Sequence, residues 1–141
     1  HNEEGLTNLL ANHVGKGLDD YLHTCEVPGL SILTGGPVPP NPAELLSSNR
    51  MKQLEKDTAE RFDLVIYDTP PLLGFTDAQI LAGRVDGNIF VVHYEEDTKE
   101  DVLKASDSLK MVNANVLGVV YNRVPGGQKE HSYYYGYKDE E

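Results

Sequence analysis

The residue best placed to do chemistry is Asp68, which closes the run "FDLVIYDTPP". Residues 64–67, Leu-Val-Ile-Tyr, are apolar on both faces of an extended segment, the pattern of a strand buried inside a parallel sheet. Such a strand carries its last residue to the carboxyl edge of the sheet, where open α/β proteins bind ligands. A carboxylate there is a hard oxygen ligand, and Mg²⁺ takes one or two of them together with phosphates and water. Pro70 and Pro71 stiffen the loop that follows. The plainer alternative is that Asp68 caps a turn or bonds that loop.

A magnesium–nucleotide site also needs a phosphate cradle. The common form, Gly-x-x-x-x-Gly-Lys-[Ser/Thr] between a strand and a helix, holds phosphates with backbone N–H groups and the lysine. The Gly-Lys pair in "HVGKGLDD" fails this pattern. No strand precedes it, Leu10 rather than glycine stands five residues before Gly15, and Gly17 follows the lysine. Lys16 therefore reads as a solvated loop residue. The histidines His1, His13, His23, His93 and His131 lack metal-ligand spacing. The lone Cys25 forms no internal disulfide, as expected in a reducing cytoplasm.

Composition narrows the partners. The net charge is −11 and the isoelectric point about 4.8, so the surface repels nucleic acid and anionic lipid. No apolar run approaches the ~18 residues of a membrane span. A length of 141 residues suits one domain.

The positioning elements follow from periodicity and caps. A helix of two to three turns is predicted from near Thr7, and "GLDDYLHTC" adds a further turn. Residues 30–34 read as a strand closed by Gly35–Gly36. Prolines then hold the chain extended until Asn41, an N-cap with Pro42 at the first helical position and Glu44 three residues on. Residues 50–62 carry a weak apolar face, Met51 and Leu54, and read as a surface helix. Thr76 and Gln79 stand at capping-box spacing, and Asp77 is assigned a structural capping role. Residues 88–94 and 116–123 read as strands around a helix capped by Thr98. Strands alternating with helices call for a parallel sheet of β-α-β units. Residues 1–125 form the domain, and residues 126–141 read as a flexible tyrosine-rich tail.

Five segments together carry a resemblance: "NEEGLTNLL", "GLSILTGGPVPPNPAELLSS", "FDLVIYDTPPLLGFTDAQILAGRVDG", "VLGVVYNRV" and "YYYGY". In order and spacing they resemble the cytoplasmic kinase domain of bacterial tyrosine kinases that control capsular and exopolysaccharide synthesis. These belong to the ATPases with a deviant phosphate loop. "GGPVPPNPAELLSS" is specific to the family, whereas "DTPP" and "VVYNR" indicate only the wider group. The resemblance implies an α/β, three-layer P-loop NTPase-like fold. Its sheet is mostly parallel with helices on both faces, incomplete at the N-terminus, because the family's phosphate loop lies upstream of the "NEEGLTNLL" equivalent.

The resemblance also assigns roles. Asp68 matches the aspartate that orients Mg²⁺ through water. Asn122 matches the asparagine that pairs with the adenine edge, and Arg123 lies near the base; by itself Asn122 reads equally as a strand-ending turn residue. Tyr133, Tyr134, Tyr135 and Tyr137 match the autophosphorylated cluster, although composition alone describes a disordered tail. Mg²⁺-ATP is the implied cofactor. A membrane-anchored polysaccharide co-polymerase and further copies of the chain are the implied partners, placing the chain in the cytoplasm at the inner face of the plasma membrane. "HYEEDT" departs from the family: Glu95, Glu96 and Asp97 would not attract ATP, so no nucleotide contact is expected from this loop.

Two other readings stay open. One is a partitioning or septum-positioning ATPase of the same superfamily. The other is a non-catalytic docking module for the membrane co-polymerase. The kinase reading makes one prediction about the 141 residues alone. Phosphoryl transfer rests on positioning and neutralising the phosphates, and the sequence supplies no cradle to do so. Incubation with Mg²⁺ and γ-labelled ATP is expected to leave the tail tyrosines unlabelled.

Overall fold

The computed structural model describes residues 3–11 and 15–125. The tyrosine-rich tail lies outside the described residues.

Four helices build the main core. The first, α1 (Leu6–Ala11), starts near the expected position. A 3-10 turn at Leu18–Asp20 leads into a short strand, β1 (Leu22–Thr24), where the sequence suggested only more helix. It pairs antiparallel with β2 (Ser31–Leu33), inside the predicted strand.

Helix α2 (Pro42–Ser47) begins at the predicted Asn41–Pro42 pair. The Asn41 side chain makes no cap bond and donates to the Glu44 carboxylate instead. Helix α3 (Asn49–Arg61) is capped by Ser48, whose hydroxyl accepts from the Met51 N–H at 3.2 Å. Helix α4 (Thr76–Ala82) lacks the expected capping box: Phe75 occupies the cap position, with no side-chain bond. Thr76 is already inside the helix, one residue too late to cap it. Asp77 sits in the first turn, where a carboxylate suits the helix dipole.

Leu10, Leu46, Met51, Leu54 and Leu81 form one buried cluster, with Leu33, Tyr67 and Ile80 packed against it. Helix α3 lies at the surface with most of its residues exposed, as its narrow apolar stripe predicts. The stripe is narrow but fully used: Met51 has no exposed surface, and Leu54 and Thr58 are buried beside it. Residues three and seven positions apart share one face of a helix, so three side chains suffice to seat it.

Arg84 staples this core. Its guanidinium donates to the Leu46 carbonyl and to Glu55 Oε2, both at 2.6 Å. Glu55 Oε1 is buried without a hydrogen-bond partner among the described residues.

The second unit is a β-α-β crossover. Strand β3 (Asn88–His93) and strand β4 (Val116–Asn122) run parallel, joined by α5 (Lys99–Met111). Thr98 caps α5 as predicted and forms a full capping box with Asp101. The Thr98 hydroxyl and N–H hold the Asp101 carboxyl below its ordinary range. That preference is complete above the unfolded pKa and fades as pH falls through the lower folded value.

The segment before Asp68 departs from expectation. Residues 64–67 are extended but join no ladder, and residues 64–68 make no backbone hydrogen bond among the described residues. Leu64 and Ile66 are 74% and 80% exposed, while Val65 and Tyr67 turn inward. The sequence has the continuous apolar run of a buried strand, but a strand exists only when a neighbour closes its hydrogen bonds. Among the described residues the sheet is therefore two separate pairs, β1–β2 and β3–β4.

Met51 tests the helical core. Met51→Ala leaves a cavity at the most enclosed position, and a loss of about 2–5 kcal/mol is expected, read as a lowered urea midpoint at unchanged slope.

Candidate functional site

Two groups of residues stand where ligands bind in α/β proteins. The first is the end of the extended run. Tyr67 packs on the helical core, and burial pushes its phenol above the ordinary 10.0, with a hydrogen bond to Thr58 pulling the other way. The next side chain, Asp68, is exposed and has no hydrogen bond or ion pair among the described residues. A core anchor followed by an open carboxylate suits an outer-sphere or partial metal ligand.

The second group lies at the carboxyl ends of β3 and β4, where His93 pairs in register with Asn122. Tyr94 donates its N–H to the Asn122 carbonyl at 2.9 Å. The Tyr94 and Tyr121 rings meet edge to face at 5.7 Å. Asn122 Oδ1 accepts from the Arg123 N–H at 2.9 Å, which leaves one lone pair and both amide hydrogens for a ligand. Arg123 has a φ of +59°, a left-handed turn that ends the strand.

The acidic loop lies beside this group. Glu96 pairs with Arg123 Nη1 at 2.5 Å and lies 3.4 Å from His93 Nδ1. Asp97 accepts from the His93 N–H at 2.7 Å. The run was read as three repelling charges; two of them serve the loop itself. The signal was available in the sequence: His93 and Arg123 end adjacent strands and so bracket the acids.

Lys16 is an exposed loop residue, as read from the sequence. It pairs with Glu4 at 2.8 Å and lies 5.3 Å from the Tyr21 ring centroid. The Glu4 carboxylate raises its pKa. Nothing about it forms a phosphate cradle.

No hydrogen bond joins Asp68 to the Asn122–Arg123 group among the described residues. Nor is there a cluster of three or more His, Cys, Asp or Glu able to hold a metal. One open carboxylate still fits Mg²⁺, whose shell is completed by phosphate and water rather than by a protein cage. The four candidate phosphoacceptors, Tyr133, Tyr134, Tyr135 and Tyr137, lie outside the described residues.

No protein-family model matches the chain. The chain is 38% identical over 138 residues to the tyrosine-protein kinase YwqD of Bacillus subtilis, covering 98% of this chain and 57% of that protein. The chain shares its fold with the solved chimerical protein CapA2B2 at a TM-score of 0.83 and 36% identity, covering 89% of this chain and 55% of that one. It shares it too with the kinase domain of the Escherichia coli tyrosine kinase ETK, at 0.76 and 33%, covering 97% and 52%. Over nearly its whole length the chain is homologous to a part of bacterial tyrosine-protein kinases. Its α/β architecture is that of their kinase domains, as the sequence implied. The chain spans less than two thirds of the length of the relatives it matches.

Within that kinase framework the Glu96–Arg123 pair is exposed on both sides, at 57% and 58%. Exposed pairs are worth roughly 0–1 kcal/mol. A double-mutant cycle on Glu96→Ala and Arg123→Ala is expected to give a coupling within that range, shrinking further at ~1 M salt.

Proposed function

We propose that this chain is part of an ATP-dependent protein-tyrosine autokinase regulating capsular or exopolysaccharide synthesis. The observation that supports it best is the agreement in both fold and sequence with solved tyrosine-kinase domains, at TM-scores of 0.76 and 0.74 and identities of 33% and 32%.

The chain's own residues divide the work. Asp68 presents a hard anionic oxygen at the end of a segment anchored by Tyr67. Asn122 presents an amide that donates and accepts together, as the adenine edge requires. Arg123, steadied by Glu96, flanks that amide with a planar cation. Bound Mg²⁺-ATP would supply the transferable phosphoryl group and offset its charge. The phenols of Tyr133, Tyr134, Tyr135 and Tyr137 are the acceptors in this reading. Each loses its proton as its oxygen bonds phosphorus, while the bond from phosphorus to the ADP oxygen breaks. Each phosphate adds about −1.5 to −2 charges. On a chain already at −11, successive additions weaken self-association by like-charge repulsion.

A membrane-anchored polysaccharide co-polymerase is the partner this reading assigns, at the inner face of the plasma membrane. No described helix is long and apolar enough to cross a membrane, so contact with the membrane through a partner agrees with the described residues.

The test uses an intact relative. Purified Bacillus subtilis YwqD with Mg²⁺ and γ-labelled ATP is expected to label this chain on the tail. Replacing Tyr133, Tyr134, Tyr135 and Tyr137 by Phe removes the label. Label elsewhere, or none, counts against the proposal.

A further inference from the structure

One buried oxygen is left over by the helical core. Glu55 Oε1, on α3, is buried and has no hydrogen-bond partner among the described residues. The other carboxylate oxygen, Oε2, accepts from Arg84 Nη2 at 2.6 Å, and Arg84 Nη1 donates to the Leu46 carbonyl at 2.6 Å. Both side chains are largely withdrawn from water, Arg84 at 22% and Glu55 at 25% exposure. A buried acceptor without a donor is costly, the more so when it is charged. Arg84 thus grips one oxygen of the carboxylate and holds the other in a fixed place with nothing bound to it.

The Tyr67 phenol is a donor within the field of that oxygen. Its ring packs against the cluster that contains Leu46 and Leu54. Leu46 supplies the carbonyl that Arg84 binds, and Leu54 precedes Glu55 on α3. Burial is the main cause that lifts the phenol above its ordinary range, and Thr58 opposes it. After these, the Glu55 carboxylate raises it further and the Arg84 guanidinium lowers it. The carboxylate therefore favours the protonated phenol, which can donate.

The group under this control is the next side chain along. Residues 64–68 make no backbone hydrogen bond among the described residues, and Asp68 is exposed with no hydrogen bond or ion pair among them. With no ladder to hold the run, Tyr67 fixes where the carboxylate stands. Apolar packing is non-directional and lets a ring turn on the leucines beneath it. A polar hold on the phenol has a preferred direction and removes that freedom.

We propose that Glu55 and Arg84 are positioning residues for Asp68, acting on it through the Tyr67 phenol. Arg84 clamps Glu55, Glu55 orients the phenol, and the phenol sets the place of the following carboxylate. The proposal rests on the reading of Asp68 as the magnesium-side carboxylate.

The experiment uses the 141-residue chain without metal or nucleotide. Backbone nitrogen relaxation is expected to give the Asp68 N–H an order parameter of about 0.85 in the unsubstituted chain and below about 0.6 in Tyr67→Phe, which keeps the ring and removes only the hydroxyl. Glu55→Met is expected to loosen Asp68 equally, and the double variant no further, because the two act as one unit. Arg84→Met loosens it too, and Arg84→Lys, which keeps a cation for Glu55, restores the order. Val92, buried in β3, stays at about 0.85 in every variant. With ring-labelled tyrosine, the Tyr67 phenol is expected to ionise at lower pH in Glu55→Met and at higher pH in Arg84→Met. A general loosening of the core would not move it in opposite directions. An Asp68 N–H as ordered in Tyr67→Phe as in the unsubstituted chain overturns the proposal. So do phenol shifts of the same sign in both methionine variants, or a loss of order at Val92 equal to that at Asp68. Tyr67→Phe decides alone if a methionine variant does not fold. A tail that no kinase labels would defeat the functional proposal without moving these readouts, and an unmoved Asp68 would defeat this one without changing the labelling.

Discussion

An extended segment is fixed either by a ladder of backbone bonds or by the side chains on one of its edges. Residues 64–68 have only the second. Tyr67 is seated on the α1–α4 core, and that anchor sets the position of the carboxylate next to it. The placement of Asp68 thus depends on α3, which depends in turn on the stripe of Met51, Leu54 and Thr58. The chemistry at the end of the run inherits its precision from helical packing some distance away in sequence.

Much of the architecture was legible because its signals are local. Pro42 after Asn41, the Thr98 cap and the apolar runs of β3 and β4 each specify their element within a few residues, and each is found. The readings that failed needed distant information. A strand at 64–67 requires a neighbour that no local pattern supplies. Strand β1 was missed because its three residues gain extended form from pairing with β2, not from their own propensity.

The site was legible to a different degree. Asn122 ends β4, whereas Asp68 follows a run that pairs with no strand, and what surrounds both is tertiary. Glu96 illustrates this. In sequence it is the middle of an acidic run; in the fold it is the common partner of His93 and Arg123. Local charge counting exaggerates repulsion where a crossover brings in cations from a strand 27 residues later.

The joint between α1 and the end of β2 has a mechanical consequence. Leu6 and Thr7 donate their N–H groups to the Thr34 and Gly35 carbonyls at 2.8 and 3.0 Å, and the Thr34 hydroxyl returns a bond to the Glu4 carbonyl. A Cβ on Gly5 would lie 2.2 Å from the Thr34 oxygen, so no side chain fits in that joint. The proline run begins immediately beyond it, at Pro37. The start of α1 and the end of β2 are therefore held together by backbone bonds with no room for a side chain between them.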